Sequence, residues 1–140
     1  YDGQWFDGKD YQNKSYTVNV HNIKDILPKS TAAHISLVYF ASCNSADKDP
    51  KTKESLLEVA VSQGVKCAIG FNNNVSEGGL YINDVMEVIK ANPSFTIRQA
   101  INETNKQNKW LLRSNESYSP SNTNNLVIYG NDTIRLGRKY

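Results

Sequence analysis

The spacing of apolar and polar positions changes period several times along the chain, and each change marks an element. Residues 15–20 alternate, with Tyr16, Val18 and Val20 on one face, as a half-buried strand does. Residues 22–27 put Ile23, Ile26 and Leu27 at helical spacing, and Pro28 stops that short turn. Residues 34–40 (His-Ile-Ser-Leu-Val-Tyr-Phe) are nearly continuous in apolar, β-branched or aromatic side chains. That pattern predicts a central strand buried on both faces. Asp49 and Pro50 then offer an N-cap and a first helical residue. A helix is expected over 50–63, burying Leu56, Leu57, Ala60 and Val61, with Gly64 as its C-terminal stop. Residues 65–71 form a second buried run, so strand, helix and strand make a βαβ unit and a parallel sheet.

Past a loop over 72–79, a helix is expected over 80–91, with Tyr81, Val85, Val88 and Ile89 on one side and Asn92-Pro93 as its end. Thr96 and Gln99 are spaced as a capping box, with Phe95 as a hydrophobic staple against Ala100. The helix they open turns Ile97, Ala100, Ile101 and Thr104 inward and ends near residue 108. Residues 114–125 read as a polar surface loop, 126–129 as a third core strand, and 133–136 as a short edge strand. Before all of these, Gly, Asp and Asn crowd the first fourteen residues, with Trp5, Phe6 and Tyr11 among them, as in a hairpin or loop bearing aromatics. No repeat or linker divides the chain, and its 140 residues suit a single domain.

Composition narrows the function classes. With 39% apolar and 21% charged residues, the chain has the make-up of a globular domain rather than a disordered one. A formal charge of +2, without a basic run, supports neither a nucleic-acid nor a membrane-surface partner. No stretch approaches the roughly 18 apolar residues of a membrane span. Cys43, Cys67, His21 and His34 lack the close pairing of zinc ligands, so no metal and no cofactor is expected. Two cysteines are too few for a disulfide framework.

Ligands of open α/β sheets collect at the carboxyl ends of parallel strands. One such end carries Ala41, Ser42, Cys43 and Asn44, the other Gly70, Phe71, Asn72 and Asn73. A thiol at that rim, flanked by small residues and free backbone N–H groups, suits nucleophilic attack on a carbonyl. Cysteine is also a common packing residue, and Cys67, in mid-strand, reads as core. His34 precedes its strand at the end away from Cys43, and His21 lies at a helix start; both read as structural. Gly70 either admits a ligand or relieves crowding, and Asn72, Asn73 and Asn74 either bind a peptide-like ligand or form a solvated loop.

The segment from Ile35 through Cys43 to Ala46, a following helix, and Gln63-Gly64-Val65 through Ile69-Gly70 together resemble the catalytic half of caspase-like cysteine peptidases. The likeness is to bacterial members of the CHAT and gingipain type. Tyr129-Gly130-Asn131-Asp132 followed by Thr133-Ile134 resembles the Gly-Asp-Pro ending of many members, without its Pro. The resemblance spans residues 15–137. It implies a three-layer α/β caspase-haemoglobinase fold with a mostly parallel sheet, lacking its N-terminal strands in this chain. It implies a cysteine endopeptidase acting through a Cys–His dyad and a thioester, with Cys43 as nucleophile.

By the same resemblance, Ser42 and Asn44 flank an oxyanion site, and Gly70, Phe71 and Asn72 line the substrate groove. Asp47, Asp49 and Glu77 are acidic candidates for holding a basic substrate side chain. The family's catalytic His sits in a His-Gly pair, and neither histidine here precedes Gly. The histidine is therefore expected upstream of Tyr1, with residues 1–140 the C-terminal portion of a peptidase domain and the missing part as a second segment or chain. A sheet edge is then expected to lie open. A peptide or protein is the expected partner, and a bacterial extracellular or surface location fits the family. The alternative is a catalytically inactive caspase-like module that binds peptide or protein through the same groove. A small-ligand α/β domain with Cys43 as core is a third reading.

Overall fold

In the computed structural model, residues 5–9, 15–107 and 118–137 are described. Strand β4 (Cys67–Phe71) is the centre of a three-stranded sheet, and every one of its residues is buried. It pairs parallel with β3 (Leu37–Tyr39), Leu37 lying opposite Cys67 and Tyr39 opposite Ile69. On its other side it pairs antiparallel with β5 (Leu126–Gly130), in a register from Cys67–Gly130 to Phe71–Leu126. The sheet is thus mixed, one pairing parallel and one antiparallel, rather than mostly parallel. The βαβ unit accounts for the first pairing. The second arises because the chain returns to the sheet from the end at which β4 leaves it. The fold is mixed α/β.

The run over 34–40 does not become the central strand. Only three of its residues pair, all half-buried, and among the described residues β3 forms an edge of the sheet. Apolar continuity marks a strand with covered faces, but it carries no information about how many neighbours the strand has. Phe40 N–H donates to Ile69 O and Cys67 N–H donates to Ser36 O, so residues 36 and 40 turn toward β4. By the alternation of a parallel ladder, the N–H and C=O of Leu37 and Tyr39 face the other way. No described residue hydrogen-bonds to those groups.

Two apolar clusters cover the two faces of the sheet. Cys67 and Ile69 pack with Tyr81, Val85, Ile89, Ile97 and Ile101 from α4 (Gly78–Ala91) and α5 (Ile97–Lys106). Ala68 faces the opposite way, against Leu56, Leu57 and Ala60 of α3 (Leu56–Gln63). The short helices α1 (Ile23–Ile26) and α2 (Lys29–Ala32) close that second layer, contributing Ile23 and Ala32. The hairpin expected near the start is present in its paired part: β1 (Trp5–Lys9) runs antiparallel to β2 (Ser15–Val18), with a bulge between Phe6 and Gly8. Tyr1, Tyr11 and the turn of that hairpin lie outside the described residues, as does the stretch 108–117.

Helix α3 starts later than Asp49-Pro50 suggests. The Asp49 carboxylate accepts from the N–H groups of Lys51 (2.8 Å) and Thr52 (2.9 Å), capping a turn instead. Lys53 then takes a left-handed φ of 63°, which ends any helical path. The working cap is Ser55, whose hydroxyl accepts from Glu58 N–H at 3.2 Å while the Glu58 carboxylate accepts from Ser55 N–H at 2.9 Å. Gly64 closes the helix at φ +127°, with the backbone of Ala33 lying 3.1 Å from where a Cβ would stand. Both the conformation and the close approach call for glycine.

The capping box of α5 forms as the spacing predicts, and its inward residues are Ile97, Ala100, Ile101 and Thr104. Residues 133–136 are not a strand. The carbonyls of Asp132 and Ile134 accept from the N–H groups of Arg98 (3.1 Å) and Ile97 (3.0 Å). This segment therefore satisfies donors that the first turn of α5 leaves open, which removes its backbone from the sheet.

Candidate functional site

Cys43 follows β3 in a tight turn over 41–46, beside the carboxyl end of β4. Three features make the turn. Asn44 adopts a left-handed φ of 56°, Asn44 N–H donates to Asn73 O at 3.1 Å, and Ala46 N–H donates to Phe71 O at 2.9 Å. Ser45, fully buried, plugs the inside: its hydroxyl donates to Phe40 O (3.3 Å) and accepts from Phe71 N–H (3.0 Å). The side chain of Cys43 is thereby turned toward the loop that follows β4.

There the Cys43 thiol is half-buried and meets the backbone of Val75. Val75 N–H donates to Sγ at 3.3 Å, and Sγ lies 3.9 Å from Val75 O. The loop is held in turn by Asn125, a residue only 1% exposed. Its carbonyl accepts from Asn72 N–H (2.9 Å), its side-chain Oδ1 accepts from Asn73 N–H (3.0 Å), and its Nδ2 donates to Asn74 O (3.2 Å). A second contact ties Nδ2 to Ser119 O at 3.4 Å.

The residues singled out from sequence fall into two groups. Cys43, Asn44 and Asn72 gather at the carboxyl rim, with Asn72 exposed. Ser42 is 7% exposed and lines a different space. Gly70 and Phe71 lie beneath the rim: Gly70 is occupied from above by Ser45 and Leu57. The Phe71 ring is fully buried, edge-on to Tyr39 with centroids 5.9 Å apart. Both are packed into the body of the sheet.

Of the acidic candidates, only Asp49 is described with side-chain partners. Asp49 caps its turn and lies 3.3 Å from His21 Nε2. Glu77 is the left-handed residue before α4, and burial raises the Asp47 carboxyl above its ordinary value. His34 is exposed, and among the described residues neither histidine hydrogen-bonds to Cys43. Cys67 is wholly buried as the first residue of β4. Burial first, and Asp132 second, push its thiol up to about 11 against a smaller lowering from Arg98.

An apolar groove of about 380 Å³ runs beside β3, lined among others by Ile23, Ile26, Val38, Phe40 and Ser42. Its wall ends one residue short of Cys43. Among the described residues no group of three or more His, Cys, Asp or Glu side chains could hold a metal ion, and no helix is long and apolar enough to cross a membrane.

Asn125 is the residue that sequence reading passes over. It sits at the end of a polar stretch rich in Ser and Asn, where nothing local separates a buried amide with three hydrogen bonds from a solvated one. Comparison with family models, curated proteins and solved structures gave no match to this chain.

Proposed function

We propose that this chain is part of a caspase-like cysteine endopeptidase in which Cys43 is the nucleophile. The observation that carries the reading is the position of the thiol: half-buried at the carboxyl rim of a parallel strand pair, with a backbone N–H on sulfur. That N–H holds Sγ in place at the rim, where a carbonyl carbon can reach it. In the reaction a base takes the thiol proton and sulfur bonds to the peptide carbonyl carbon. The C–N bond then breaks as the amine leaves with that proton, and water hydrolyses the thioester. Neither His21 nor His34 bonds to the thiol, so the reading takes its base from the histidine that the resemblance places upstream of residue 1. Cys43 N–H, flanked by Ser42 and Asn44, is the proposed oxyanion donor, and exposed Asn72 a contact for the substrate backbone.

The test is treatment of the full-length protein with peptidyl chloromethyl ketones of varied terminal side chain, with adducts mapped by mass spectrometry. A peptide-library cleavage assay runs beside it. An adduct on Cys43 and cleavage lost in Cys43→Ala are expected. Equal cleavage by Cys43→Ala overturns the reading.

A second reading has its own support. The edge of β3, unpaired among the described residues, and the apolar groove beside it suit an inactive module that binds an extended peptide by strand addition. Peptide binding without any turnover would favour it.

A further inference from the structure

We propose that Asn125 is a positioning residue for Cys43, acting through the loop it holds and the Val75 N–H that this loop aims at sulfur. The proposal rests on Cys43 being the peptidase nucleophile, and it adds the device that positions that thiol.

The chain of contacts is short. Asn125 bonds to three successive residues, Asn72, Asn73 and Asn74, and the next residue, Val75, donates to Sγ. Each bond takes its direction from its backbone partner: an N–H of Asn73 needs an acceptor, and the carbonyl of Asn74 needs a donor. The Asn125 carboxamide meets both needs, its oxygen accepting and its NH2 donating from two separate atoms. Because Asn125 directly precedes β5, whose Leu126 pairs with Phe71, the loop is clamped to the sheet itself. A loop carrying an amide that must sit within 3.3 Å of sulfur would otherwise sample many backbone conformations. The opposite side of the loop is tied by Asn44 N–H on Asn73 O, which joins the thiol-bearing turn to the Val75-bearing loop.

The experiment measures the alkylation rate of Cys43 by iodoacetamide across pH in the full chain, with adducts assigned by peptide mapping. For Asn125→Ala the rate near pH 7 should fall about threefold or more, the worth of one modest hydrogen bond to the anion. The curve should move to higher pH while its high-pH plateau does not fall. A curve that keeps its position on the pH axis, whether or not the plateau changes, means that Asn125 governs access or stability alone and overturns the proposal.

If Asn125→Ala fails to fold, the unmutated protein still decides. Methylthiolation of Cys43 should shift the amide resonance of Val75 and the side-chain amide resonances of Asn125. Unshifted Asn125 signals overturn the proposal. Coupling without peptide cleavage would sink the peptidase reading alone, and cleavage without coupling would sink the role of Asn125 alone.

Discussion

Ser45 occupies the space a side chain at residue 70 would need: a Cβ on Gly70 would stand 2.6 Å from Ser45 Oγ and 2.6 Å from Leu57 Cδ1. The hydroxyl cannot simply withdraw, because Phe71 N–H depends on it. Gly70→Ala should therefore cost about 1–3 kcal/mol of stability by overpacking. Ser45→Ala should cost about 1–3 kcal/mol by stranding a buried N–H. The two are in contact, so the double variant should lose less than the sum, since one clash disappears with the hydroxyl. Urea denaturation of the four proteins in the cycle measures this, and strict additivity would contradict the packing described.

The start of α3 can be checked by two substitutions five residues apart. Ser55→Ala removes the working cap and should destabilise by about 1 kcal/mol. Pro50→Ala should change little, because Pro50 lies in a turn and not in the helix. Thermal melts of the two variants separate the cases. A large loss at Pro50 with none at Ser55 would place the helix start back at Asp49.

Alkaline stability should carry the mark of Cys67. Its folded-state thiol is raised from 9.0 to about 11, so the folded protein holds a proton that the unfolded chain releases between those values. Unfolding is then favoured as pH rises: the contribution is fully present below pH 9 and is lost by about 11. The hydroxyls of Tyr39 and Tyr81, also raised by burial from an ordinary 10.0, add to the loss only above that pH. Cys67→Val should flatten the fall in denaturation midpoint between pH 9 and 10. An unchanged slope would show that another group titrates there.

The groove along β3 predicts a surface effect separate from stability. Ile26 is 55% exposed and lines it, so Ile26→Glu should lower the fluorescence of a bound apolar dye such as anilinonaphthalene sulfonate. The melting temperature should stay within a few degrees, as for other exposed positions. Undiminished dye binding would locate the apolar surface elsewhere.

Helices α1, α4 and α5 were legible because their determinants are local. Thr96 and Gln99 form the capping box their spacing announces, and Ile97, Ala100, Ile101 and Thr104 turn inward as a 3.6-residue period requires. Tyr81, Val85, Val88 and Ile89 do the same in α4. The start of α3 was misleading for an equally local reason: two caps compete within seven residues, and Lys53 at positive φ decides in favour of Ser55.

By itself, then, the sequence determined the mixed α/β character, the βαβ unit around α3, and the arrival of Cys43 at a strand's carboxyl end. Those follow from period, capping and chain order, each carried by neighbours along the chain. Only the tertiary structure decided that β4 and not β3 is the centre, that β5 runs antiparallel, and that residues 132–134 cap α5. Partner number and direction are properties of strands distant in sequence, on which an apolar run is silent. The thiol's surroundings belong to the same class. Cys43 meets Val75 across 32 residues and Asn73 meets Asn125 across 52, and hydrogen bonds over such separations exist only once the sheet has brought the loops together.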